Sequence, residues 1–75
     1  MGCYSILDDY AHEYNVRKGL KTLLAHYTLC IGTPKRKLRN LRMAIKRHSN
    51  KLITLYNNMS EEDKLCIAIT YGIPN

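Results

Sequence analysis

An all-α fold, a small bundle of three to four helices with one long basic amphipathic member, follows from three features of this chain. Between Thr33 and Met59, the residues Leu38, Leu41, Ile45, His48, Leu52, Leu55 and Met59 recur at alternating spacings of three and four, which lines them along one side of a helix. Strand-like sequence is confined to Ile67, Ile69 and Thr70, and a helix cap precedes it with no second such run to pair with. Helix punctuation recurs at sensible intervals, with Ser5 and Ser60 as starts and Gly32 and Gly72 as stops. The expected organisation is a single helical domain over residues 1–75, with helices at about 5–14, 16–31, 34–58 and 61–71.

The first helix opens with Ser5-x-x-Asp8, a capping-box spacing, and Asp8 and Asp9 complement its dipole. Ile6, Leu7, Tyr10, Ala11 and Tyr14 share one face, and Asp8, Asp9, His12 and Glu13 take the other as a solvated acidic face. An Asp, a His and a Glu at this spacing could hold a hard divalent metal, but an open helix surface supplies no further ligand, so no metal site and no cofactor are expected. From Val16 the apolar set becomes Val16, Leu20, Leu23, Leu24, Tyr27, Cys30 and Ile31, rotated from the first stripe by roughly a third of a turn. Either a new helix starts at Asn15, a good cap residue, or one continuous helix touches two partners. Gly19 either weakens this segment or permits close packing. His26 borders the apolar arc and reads as a bonded group at the core edge.

The third helix follows after only Gly32-Thr33, which folds it back antiparallel or steeply. Thr33 is expected to cap it, with Pro34 at its first position. At about 25 residues it would run ~38 Å, whereas a compact chain of this length has a radius of gyration of about 11 Å; the bundle is elongated or the helix overhangs. Its apolar side must be buried. Its first turn carries cations, which an acidic first helix packed nearby, through Asp8 and Asp9, is expected to relieve. The last helix starts with Ser60, Glu61, Glu62 and Asp63, the polarity a helix dipole favours, and becomes apolar on all sides, as suits insertion into the core.

Composition bounds the function. A chain of 75 residues buries ~60% of its unfolded surface, which leaves little room for a substrate cavity. Phe and Trp are absent and Tyr appears six times, so the core is aliphatic with a tyrosine margin. Cys3, Cys30 and Cys66 are odd in number and widely spaced, which indicates neither a disulfide framework nor a zinc site. A cysteine–histidine nucleophile pair would need a cleft that this length scarcely provides, and no enzyme is expected. No apolar run reaches a membrane span and no leader precedes the first Asp, so membrane association is not expected and the chain reads as cytoplasmic. Met1-Gly2-Cys3 partly matches an acylation signal, but Ile6 stands where Ser or Thr is wanted.

Charge is segregated. The net charge is +6, and eleven of the twelve Lys and Arg residues lie within residues 15–58, where there is no acid. The long helix presents Lys35, Arg36, Arg39, Arg42, Lys46, Arg47 and Lys51, with Met43 in their midst. Lys35, Arg36 and Lys37 even occupy its first turn, where each exposed cation costs roughly 0.3–1 kcal/mol against the dipole. A local rule broken without local compensation marks a functional position, although a charged face is often no more than solvated. The expected function is a small non-enzymatic, regulatory nucleic-acid-binding protein that sets this face on the phosphates of DNA or RNA. Base reading is not expected, because the face is read as lacking the Asn, Gln and aromatic residues that would interleave the cations. The alternative is an inhibitor or adaptor that docks the same face on an acidic protein surface, with Met43 as apolar anchor. A monomer is expected, covered by Leu20, Leu23, Leu65 and Ile69, with a coiled-coil homodimer through the heptad stripe as the competing state.

Overall fold

Three helices make up the described part of the chain, residues 5–74 of a computed structural model. They are α1 (Ile6–Leu29), α2 (Lys35–Asn57) and α3 (Glu61–Thr70). Met1-Gly2-Cys3, with its acylation-like pattern, lies outside these residues.

The Ser5 Oγ accepts the Leu7 N–H at 3.0 Å to open α1, and Asp8 and Asp9 sit in its first turn. No break occurs at Asn15: the segments expected at 5–14 and 16–31 are one helix. The rotated apolar stripes are explained by two partners. Ile6, Leu7, Tyr10 and Tyr14 pack where α3 closes the bundle, while the second half of α1 faces α2 alone. A methyl group added at Gly19 would meet nothing within 4 Å, so close packing is not the role of this glycine.

Gly32, at φ 88°, turns the chain between α1 and α2 in the left-handed region that favours glycine. Thr33 does not cap α2. Its hydroxyl donates back to the Cys30 carbonyl at 3.4 Å, closing the outgoing end of α1, and Pro34 is left as an N-cap with no side-chain acceptor. The two long helices then run antiparallel. The Arg17 Nε donates to Ser49 Oγ at 2.6 Å midway along them, and the Lys37 ammonium sits 4.0 Å from the centre of the Tyr27 ring near the turn.

At the opposite end, the Ser60 Oγ accepts the Asp63 N–H at 3.2 Å and starts α3, which lies across the hairpin where the core forms. Tyr10, Leu52, Met59 and Ile67 are the buried apolar residues, and Tyr71 brings its ring 5.6 Å from Tyr10 and 4.5 Å from Tyr14. The core is therefore not purely aliphatic with tyrosine at its margin: Tyr10 lies at its centre, and Tyr14 and Tyr71 pack against it. Gly72, at φ 87°, ends the helix and turns Ile73 and Pro74 back beside Arg17 and Ser49.

This arrangement corrects three expectations. Within α2 the apolar stripe is fully buried only at Leu52, with Met59 buried just beyond the helix; Leu38, Leu41 and Ile45 are half-buried, because no third helix reaches that end. Instead of inserting into the core, α3 buries Ile67 and leaves Leu65 62% and Ile69 78% exposed. Leu23, Leu65 and Ile69 therefore do not cover the stripe, and that argument for a monomer lapses. The molecule is elongated, 46 × 28 × 17 Å with a radius of gyration of 14.7 Å, against about 11 Å for a compact chain of this length.

Candidate nucleic-acid interface

The outer side of α2 is built by the same periodicity that makes its inner side apolar. At about 100° per residue, Arg42, Lys35, Lys46, Arg39, Met43, Arg36 and Arg47 fall in succession over an arc of roughly 140°, opposite Leu38, Leu41, Ile45 and Leu52. All seven are exposed, and Met43 keeps 60% of its surface in solvent. Lys35, Arg36, Arg39, Arg42 and Met43 also share a shallow depression with Leu38 and Asn40. The six cations have no carboxylate within ion-pair distance among the described residues. The α2 start has no side-chain cap and no acid in its first turn, so its leading backbone N–H groups add to the positive end.

Lys51 stands apart. Its ammonium is 2.9 Å from Glu13 Oε1, and the other carboxylate oxygen of Glu13 lies 2.5 Å from His48 Nδ1. Glu13 is thus no part of a solvated acidic face: it is 6% exposed, wedged between the long helices. Burial pushes its carboxyl pKa up, but hydrogen bonds from His48 and Lys51, with their charges, outweigh burial and hold it below the ordinary 4.5. His48 is explained in the same stroke, since a polar ring on the apolar stripe is satisfied by the one acid that faces it.

Asp8 and Asp9 do not relieve the cations of α2's first turn. The antiparallel hairpin forbids it, because Glu13 already meets Lys51, so residues 8 and 9 lie toward the far end of α2. The Lys35–Lys37 turn sits instead beside Tyr27. The expectation that this face lacks Asn is corrected: Asn40 and Asn50 are both exposed on α2, Asn40 in the depression among the cations. Their amides are the side chains that pair with adenine edges, and the position of Asn40 between Arg39 and Met43 is the available signal.

Elsewhere, Cys30 Sγ lies 3.8 Å from His26 Nε2. Both are exposed at the hairpin tip, so His26 is not a core-edge group. Cys30 and Cys66 are free thiols. Among the described residues no three His, Cys, Asp or Glu side chains converge as a metal site, and no helix is long and apolar enough to cross a membrane. No protein-family model, curated protein or solved structure matches this chain.

Proposed function

We propose that this chain is a small, non-enzymatic, regulatory nucleic-acid-binding protein that lays the outer face of α2 on phosphates. The observation that carries the reading is the set of six exposed cations, Lys35, Arg36, Arg39, Arg42, Lys46 and Arg47, on one arc without a carboxylate partner among the described residues. Holding them together costs self-repulsion, most of all in the first turn, where the dipole opposes them. An anionic polymer removes that cost and releases counterions. Cys30 and Cys66, the free thiols among the described residues, fit a reducing compartment such as the cytoplasm.

Affinity for DNA or RNA should fall with salt at a log–log slope near −0.9 for each duplex phosphate neutralised, less steeply on single strands. With about four to six cations engaged, Arg39→Glu with Arg42→Glu should weaken binding and flatten that slope by about two contacts. The helical circular-dichroism signal should survive, since both residues are exposed.

A second reading, docking on an acidic protein, is favoured by Met43, an apolar side chain 60% exposed at the centre of the cationic arc. It predicts that Met43→Ala leaves nucleic-acid affinity unchanged and costs roughly 1 kcal/mol or more against the protein partner. Absence of any DNA or RNA binding at low salt, with binding to an acidic protein that Met43→Ala weakens, would replace the first reading by the second.

A further inference from the structure

One face of the hairpin carries a ridge at one end and a recess at the other. The ridge is α3. It packs through Ile67 and Tyr71 on Tyr10 and Tyr14, and presents outward Glu61, Glu62, Leu65 and Ile69. The recess is an open groove of about 550 Å³ between α1 and α2 near the turn, floored by Leu24, Ala25, Leu29 and Ile45 and flanked by Lys21 and Arg42. They belong to one face, because the surface is continuous. Tyr14 and Arg17 border the hollow under the C-terminal segment and the next one along α1, and Lys21 and Ala25 border that one and the groove.

From this we infer that two copies of the chain pair antiparallel through this face, each α3 seated in the other copy's α1–α2 groove. Three physical matches support it. The ridge is apolar and acidic while the recess is apolar and cationic, with no acid in its lining. The one cation on the ridge helix, Lys64, is drawn aside: it is only 26% exposed and reaches Glu61 at 3.5 Å. Lengths agree as well, since ten residues of α3 span about 15 Å and Lys21 to Leu29 spans about 13 Å of α1. A two-fold axis between the ridge and the groove satisfies both contacts at once, so the assembly closes at two copies instead of growing. The pairing also accounts for three of the large apolar side chains left in solvent, Leu29 at 84%, Leu65 at 62% and Ile69 at 78%. It uses a different surface from the α2 heptad stripe, which faces α1, and leaves most of the α2 cationic arc free on each copy.

The test is sedimentation equilibrium of the nuclease-treated full chain from about 5 to about 100 µM, a range that brackets ordinary micromolar association, with a pair of charge-swapped variants. The wild type should approach twice the 8.7 kDa chain mass at the upper concentrations. Glu61→Lys with Glu62→Lys should weaken dimerisation at least tenfold, as should Lys21→Glu with Arg42→Glu. All four positions are exposed, so circular dichroism should report intact helices. An equimolar mixture of the two variants should recover the dimer, because one of the two contacts then joins the swapped charges as opposites while the other joins the native ones. A wild-type chain that stays at single mass throughout overturns the inference and leaves the groove to an acidic amphipathic helix of another protein. A dimer indifferent to both variants overturns it in favour of another surface, and mass growing beyond two copies excludes the closed two-fold.

Discussion

Replacing Glu13 by Gln tests whether the hairpin is held in register by one buried carboxylate. Gln keeps the shape and an acceptor for His48, but gives up the charge that Lys51 and the imidazole share. A hydrogen bond to a charged group contributes about 1.5–3 kcal/mol. The Lys51 side chain is 60% exposed, which limits its bond to no more than about 1 kcal/mol. The variant should therefore lose about 1–2 kcal/mol, out of roughly 4–11 kcal/mol for a chain of this length. Urea unfolding followed by circular dichroism measures it.

The pH dependence gives a second, sharper readout. The folded carboxyl is held below its unfolded value of about 4.5, so the unfolded state binds the proton more readily. The stabilisation from Glu13 is then complete above about pH 4.5 and is lost as pH falls through the folded value. As pH falls from above about 4.5 through the lowered folded value, the wild type should lose more stability than Glu13→Gln, and the two curves should converge at the acid end. Parallel curves, or a Gln variant as stable as wild type near neutral pH, would refute the account of the carboxylate as a charged clamp.

Other substitutions test the local geometry. Gly19→Ala should raise stability by about 0.5–1 kcal/mol, since the helix interior is open there and glycine only adds chain entropy; a lower melting temperature would reveal a contact on that face. Asp8→Asn with Asp9→Asn should cost no more than about 1 kcal/mol, because these acids serve the first turn of α1 and pair with no base among the described residues; a loss of several kcal/mol in urea would mean a buried partner. Ile67→Ala should cost about 2–5 kcal/mol, because Ile67 is 2% exposed and is the residue by which α3 joins the core. A loss under about 1 kcal/mol would mean that α3 contributes little to the fold.

The helices are legible in the sequence because their signals are local. Observed bounds of 35–57 and 61–70 lie within a residue of the expected 34–58 and 61–71, and Ser5, Ser60, Gly32 and Gly72 do what their types suggest. Whatever depends on who packs against whom is not legible in the same way. A change in stripe direction at Asn15 means a new helix or a second neighbour, and only the placement of α3 decides between them. Thr33 has the residue type and position of a cap for α2, but a threonine after a helix can equally bond backwards, and here it does. Charge alone assigns Glu13 to the polar face, although its spacing to Leu20, Leu24 and Tyr27 puts it on the second stripe. Extending that stripe backwards from Leu20 finds it, and pairs it with His48, the other polar residue on an apolar line. The cationic arc is legible except at Lys51, because exposure along one helix needs only the period, whereas the pairing of Lys51 with Glu13 depends on how α1 packs.

With its buried residues confined to the end where α3 sits, the chain acquires its structure from the two ends of the sequence together. Tyr10 and Ile67 come from opposite parts of the chain, and the core does not exist until both are present. A chain that ends after α2 lacks Ile67 and so lacks one of the residues that make up the core. Backbone amides near the Gly32 turn should therefore exchange with solvent ahead of those flanking Leu52, through openings that do not require global unfolding. Such a gradient leaves the cationic start of α2 in the part of the molecule that yields first, so an anion binding there would act as the missing clamp for that end.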